Sequence, residues 1–183
     1  MTPANLITYS RIILSFIFIY CIVQYTLIWN IAALLVFILA ALTDYWDGSV
    51  ARALNQVSPF GALMDPIADK VLNFSAFFVF AHLALLPYWI VWAMLFREIA
   101  VTVFRLWVVK HSGQVIAAQF LGKLKTVVQM ILIFWFIFIL IFSLPHKQGF
   151  LHILNTTLVW LTFLITLYSG ILIFIQSGAK HAK

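Results

Sequence analysis

Apolar residues run along this chain in six long blocks, parted by short polar breaks, two of which are marked by Pro87 and Pro145. A helix needs about 20 consecutive apolar residues to cross a bilayer. The blocks predict spans over about 6–25, 29–53, 59–85, 88–110, 120–143 and 151–177. Backbone groups in lipid must bond within their own segment, so all six are expected as helices. No internal repeat, low-complexity tract or soluble stretch interrupts them. The expectation is an all-α integral membrane protein with six transmembrane helices, built as a single membrane domain over residues 1–183.

Composition sharpens this. Of the 183 residues, 65% are hydrophobic and 9% charged, with a mean hydropathy of +1.10. A soluble domain carries about 25% charge, and so little polar surface cannot cover a globule in water. The net charge of +6 is scattered, which speaks for membrane orientation and attraction of anionic ligands, not for nucleic-acid binding. Arg11, Arg52, Lys70, Arg97, Arg105, Lys110, Lys123, Lys125, Lys180 and Lys183 fall at one set of span ends, against Lys147 alone at the other. The positive-inside rule then places both termini and the 53–59 and 111–119 loops in the cytoplasm, with Trp29, His146 and Lys147 outside. The N-terminus lacks the basic region and cleavage site of a signal peptide, so the first span is expected to stay. Cys21 stands alone and is expected to be a small buried hydrophobe. The five histidines show no ligand spacing and are expected in packing or interfacial places. The seven Trp and eighteen Phe are expected mostly as lipid-facing and interfacial rings. Two glycosylation-like triplets, at Asn73 and Asn155, lie in or at the edge of spans and are discounted.

The acidic residues are not scattered. Four of the five fall within residues 44–69: Asp44, Asp47, Asp65 and Asp69; the fifth is Glu98. A charge within a span costs about 3 kcal/mol on insertion scales, and clustered carboxylates repel, so such a group calls for a neutralising cation. Solvated loop acids are the plain alternative. Asp44 and Asp47 follow "LLVFILAAL" with no turn signal, however, which keeps them on the helix. Asp44 and Asp47 are i,i+3, and Asp65 and Asp69 are i,i+4, so each pair shares a helix face. Ser58 can cap the third helix, with Pro59 in its first position. A short turn makes the second and third helices antiparallel neighbours, giving an oxygen-rich box at the cytoplasmic end. All-oxygen ligands suit Mg²⁺, Mn²⁺ or Ca²⁺, and four carboxylates can bridge two ions, as in sites for in-line phosphoryl displacement. Gly48, Ala51 and Gly61 permit close helix approach, and the fork of Arg52 suits a phosphate.

Read as a string, the segment is D-x2-D-G-x2-A-R-x8-G-x3-D-x3-D, from Asp44 through Asp47, Gly48, Ala51, Arg52, Gly61 and Asp65 to Asp69. This resembles the signature of the CDP-alcohol phosphotransferase family, with every position filled, and the six-helix form extends the likeness over essentially the whole chain. The resemblance implies transfer of a substituted phosphate from a CDP-linked lipid to an alcohol, with release of CMP. It implies that Asp44, Asp47, Asp65 and Asp69 hold two ions, Mg²⁺ or Mn²⁺, and that Asp69 is also the catalytic base. It implies CDP-lipid contacts from Asn5, Thr8, Asp47, Gly48, Ala51, Arg52, Ser58 and Gly61. It implies a homodimer as well, and a bacterial inner membrane is the expected location, with the active site facing the cytoplasm.

The second half bears on the acceptor. Arg97 and Arg105 are two turns apart on the fourth helix, and Lys123 and Lys125 open the fifth. Arg97 lies within an apolar span and is not expected to face lipid. Together the four suit an acceptor that already carries a phosphate, whereas Lys110 is expected only to set topology. Glu98 can pair with a neighbouring arginine or meet acceptor hydroxyls. "RE…R", "GKxKT" and "PFGALMDPIADK" resemble the phosphatidylglycerophosphate synthase branch of the family, which implies CDP-diacylglycerol as donor and sn-glycerol 3-phosphate as acceptor. Inositol phosphate, serine and phosphatidylglycerol are the rival acceptors. A cation transporter, which would carry its acids near the bilayer midplane on broken helices, and a non-catalytic scaffold are the rivals from other classes.

Overall fold

The computed structural model describes the backbone of residues 3–54, 59–112, 120–144 and 149–181, and the side chains of residues 10–42, 70–108, 122–144 and 149–175. Among the described residues the chain is all-helical. Its six helices are α1 (Pro3–Val23), α2 (Leu27–Leu54), α3 (Pro59–His82), α4 (Tyr88–Ser112), α5 (Phe120–Ile141) and α6 (Gly149–His181). Each matches an apolar block to within a few residues. The largest extensions are at the start of α1 and the end of α6. The predicted 53–59 and 111–119 loops and the 145–148 connector lie wholly or mostly outside the described residues.

Local chemistry sets the helix ends that are described. Thr26 precedes α2, and its Oγ1 accepts from the Trp29 amide at 3.5 Å, an N-cap contact. After α5 the Leu144 amide reaches back to the Ile139 carbonyl at 3.0 Å and Ser143 to Leu140 at 3.4 Å. With Ser143 in the left-handed region (φ 48°) this is a Schellman motif without glycine. Tyr25 and Ala84 hold similar angles after α1 and α3.

Two compact units divide the chain. The first comprises Met1–Leu83 and Ile133–Leu144; the second comprises Ala84–Leu132 and Pro145–Lys183, so α5 contributes to both. In the first unit α1 packs against both α2 and α3. Its core is aromatic: Phe18, Phe37, Phe77, Phe80 and Phe136 are fully buried. Phe18 meets Phe37 and Phe80 at ring-centroid distances of 5.8 and 6.2 Å, and Phe80 meets Phe136 at 5.0 Å, within the range of favourable ring pairs. Cys21 is buried here as expected. Asn30 of α2 donates to the Leu140 carbonyl at 3.1 Å, tying α2 to the end of α5. In the second unit α4 packs on α6, and Asn155 of α6 donates to the Leu85 carbonyl at 3.0 Å.

The expectation that the aromatic rings face mostly outward therefore needs correcting for phenylalanine. In a helix that is apolar on every side, no periodicity says which ring turns inward, and the interior of the first unit takes several. The tryptophans agree better: Trp29, Trp89, Trp92, Trp107 and Trp160 are all exposed. So are Phe16, Ile28, Phe96 and Phe150, each more than 65% exposed. Apolar faces of this extent are foreign to a soluble monomer. Gly122–Ile141 and Gly149–Ile175 are, among the described residues, long and apolar enough to cross a membrane. Both features fit a membrane protein.

The ring cluster generates one expectation. Phe80→Ala should destabilise the protein by about 3 kcal/mol or more, the usual cost of emptying a buried phenylalanine site. Phe142→Ala, at an exposed ring, should leave the melting temperature in detergent nearly unchanged. Equal melting temperatures for the two variants would contradict the assignment of Phe80 to the core.

Candidate functional site

Asp44 and Asp47 lie on α2 and Asp65 and Asp69 on α3, all in the first unit. The helices run unbroken through these positions, so each pair occupies one helical face, as the spacing requires. Pro59 opens α3 as predicted. The side chains of the four aspartates, and those of Asn5, Thr8, Gly48, Ala51, Arg52 and Gly61, lie outside the described side chains, and Ser58 lies outside the described residues altogether. As a donor set, four carboxylates on two helices fit hard divalent ions, Mg²⁺ or Mn²⁺.

The side chains of Arg97, Arg105, Lys123 and Lys125 are described, and all four belong to the second unit. Arg97 is 7% exposed and Glu98 is 5% exposed, both on α4. Arg97 Nη1 donates to Glu98 Oε1 at 2.6 Å. Lys125 Nζ, from α5, donates to the same carboxylate oxygen. Arg97 Nη2 donates to Ser169 Oγ of α6 at 2.8 Å, and the Ser169 hydroxyl donates in turn to the Thr166 carbonyl at 2.9 Å. Gln129 of α5 donates to Thr166 Oγ1 at 3.2 Å. One polar contact thus joins each pair among α4, α5 and α6. Arg105 lies near enough to Arg97 for the two charges to repel; it is half-buried, and its Nε has no hydrogen-bond partner. Lys123 is exposed.

The choice left open for Glu98 is answered by these contacts: it pairs with Arg97, its neighbour in sequence, and with Lys125. Arg97 is buried in the protein, as its place in an apolar span suggested. The structure brings Arg97 and Lys125 together through Glu98, keeps Arg105 close by, and leaves Lys123 at the surface. Two cations on one carboxylate, with Arg105 near Arg97, leave a positive excess, the electrostatics an anion needs.

Several residues of this network escaped the sequence reading. Ser169, Thr166 and Gln129 are buried polar side chains in apolar helices. The available signal was their isolation: a lone hydroxyl or amide in a span usually faces a polar partner on another helix. Arg11, which the sequence marked only as one of the basic residues at the cytoplasmic set of span ends, is also enclosed. It is 2% exposed, inside the first unit, and Ser15 Oγ donates to its carbonyl at 2.8 Å.

Comparison with known proteins agrees with this architecture. The profile of the CDP-alcohol phosphatidyltransferase family matches residues 1–168. The CDP-diacylglycerol–glycerol-3-phosphate 3-phosphatidyltransferase of Bacillus subtilis is 38% identical over 141 residues, 77% of this chain and 70% of that protein. The protein of the same name from Escherichia coli K12 is 37% identical over 139 residues, 72% of this chain and 74% of its own length. A probable phosphatidylglycerophosphate synthase of Mycobacterium tuberculosis is 38% identical over 142 residues, 78% of this chain but 64% of its own length. With the family profile spanning nearly the whole chain and relatives of this identity, the chain belongs to the CDP-alcohol phosphatidyltransferase family.

Proposed function

We propose that this chain transfers the phosphatidyl group of CDP-diacylglycerol to sn-glycerol 3-phosphate, forming phosphatidylglycerophosphate and releasing CMP. The names of the relatives support the reaction. The observation that carries the acceptor is the positive excess around Glu98. A buried cationic network in an apolar helix is costly to keep, and a phosphorylated alcohol gives it a purpose that serine does not.

The roles follow from the residue chemistry. Asp69 accepts the proton of the attacking hydroxyl of the acceptor. The oxygen it frees bonds to the lipid-side phosphorus of the donor, while the bond from that phosphorus to the bridging oxygen breaks and CMP carries the oxygen away. Asp44, Asp47, Asp65 and Asp69 would hold two Mg²⁺ or Mn²⁺ ions, whose chemistry is to neutralise the pyrophosphate as CMP departs. Arg52 binds donor phosphate, with Asn5, Thr8, Gly48, Ala51, Ser58 and Gly61 lining the CDP-lipid. Arg97, Arg105, Lys123 and Lys125 hold the acceptor phosphate, Arg105 and Lys123 having no carboxylate partner among the described residues. The same reading has the protein in a bacterial inner membrane with six spans, cytoplasmic termini and a cytoplasmic active site, working as a homodimer.

The test is CMP release by purified protein in detergent, with CDP-diacylglycerol and one acceptor at a time. Release with sn-glycerol 3-phosphate, and not with inositol phosphate, serine or phosphatidylglycerol, is the expected result; release only with another of these overturns the acceptor. Chelation should stop release, and added Mg²⁺ or Mn²⁺ should restore it. Asp69→Asn should stay folded and lose at least about a hundredfold in kcat, and full activity would remove its role as base. Arg105→Ala should raise the KM for sn-glycerol 3-phosphate about tenfold and leave that for CDP-diacylglycerol nearly unchanged. Equal effects on both would argue against an acceptor-phosphate role.

A further inference from the structure

The α6 face that meets Arg97 is fitted to it. Ser169 accepts from Arg97 Nη2 at 2.8 Å, and the next residue is Gly170. A Cβ at Gly170 would stand 2.5 Å from Arg97 Nε, 3.2 Å from its Cγ and 3.3 Å from its Cζ. No real Cβ comes so close to a nitrogen, so the guanidinium occupies space that only glycine leaves open. The gap has a cost on both sides. Glycine is among the poorest residues for a helix interior, by about 1 kcal/mol against alanine. Arg97 Nε, buried against it, has no hydrogen-bond partner. A side chain that needed only to neutralise Glu98 would not require this fit, because Lys125 already donates to the same carboxylate oxygen.

The N–H count of the guanidinium shows what the fit achieves. Arginine has five N–H groups. One goes to Glu98 and one to Ser169, and the Nε hydrogen is held without a partner. That leaves one N–H on each terminal nitrogen, the pair from which a guanidinium makes charge-assisted contacts to a phosphate. Ser169 and Gly170 lie outside the 1–168 stretch matched by the family profile.

We propose that Ser169 and Gly170 are positioning residues: α6 sets the place of the Arg97 guanidinium and thereby the affinity of the protein for its phosphorylated acceptor. The proposal rests on the reading of Arg97 as a ligand of the acceptor phosphate. It makes α6 a determinant of acceptor recognition although residues 149–175 carry no lysine or arginine. The hydroxyl fixes one terminal nitrogen, the glycine admits the Nε edge, and Glu98 fixes the other terminal nitrogen. Held at three points, the fork loses little freedom when the phosphate arrives, the condition under which an arginine contact is strongest.

The test measures CMP release against both substrates, and the melting temperature in detergent, for Gly170→Ala, Ser169→Ala, Arg97→Ala and the double variant Gly170→Ala/Arg97→Ala. Gly170→Ala should raise the KM for sn-glycerol 3-phosphate about tenfold, and Ser169→Ala about fivefold, with the KM for CDP-diacylglycerol within about twofold of the parent. In the Arg97→Ala background Gly170→Ala should add less than about twofold, because the group it displaces is gone. An equal rise in both KM values, or a full further loss in the double variant, overturns the proposal. Should Gly170→Ala fail to fold, Ser169→Ala carries the same test, since it adds no bulk. If Arg97→Ala alone leaves the acceptor KM unchanged, the reading of Arg97 itself fails. If Arg97→Ala raises it while Gly170→Ala and Ser169→Ala do not, only the role of α6 is overturned.

Discussion

A charge placed in an apolar helix has to find its partner inside the protein, and the second unit is organised by that constraint. Arg97 and Glu98 stand side by side on α4, where neither lipid nor apolar side chains can solvate them. Glu98 Oε1 collects Arg97 and Lys125, and Ser169 takes the other end of the guanidinium. The result couples three helices through directional contacts, where apolar packing alone would tolerate sliding or rotation. Because breaking a buried pair leaves an uncompensated charge, the helices that supply these groups are bound to one register.

The first unit is held differently. Its described interior is a set of interlocked phenylalanines with α1 packed on both α2 and α3, and the buried Asn30 amide anchors α2 to the end of α5. Ring packing of this kind gives shape and rigidity without charge. The same unit contains α2 and α3, the helices that carry the four aspartates.

The chemistry separates along the same division. Carboxylates are concentrated on α2 and α3, and cations on α4 and α5. A nucleotide-linked lipid offers a pyrophosphate that divalent ions can neutralise, whereas a phosphorylated alcohol offers a phosphate that arginine and lysine can bind directly. The proposed reaction would use both, and the acids, one apart, lie on different helices from the cluster Arg97, Arg105, Lys123 and Lys125. Glu98 is the exception: an acid within the basic group, it lowers the repulsion among Arg97, Arg105 and Lys125 enough for them to be held together and still leaves a positive excess.

Much of this was legible in the residues alone. Six helices follow from six apolar blocks, because a span length is a physical requirement of the bilayer and is written directly as a run. The aspartate pairs follow from spacing, since i,i+3 and i,i+4 positions share a face on any helix, and the family is readable in the gaps between those fixed positions. The burial of Arg97 was readable too, from the cost of the alternative. What the sequence could not determine is which side of an all-apolar helix faces inward. Phe80 and Phe142 are the same residue in similar surroundings, and only the packing of neighbouring helices makes one a core ring and the other an exposed one. The same holds for Ser169 and Gly170, ordinary in a list of α6 residues. Their meaning comes from a guanidinium more than seventy positions away in sequence, brought against them by the packing of α4 on α6, because a contact between helices is a property of tertiary geometry and leaves no period in the chain.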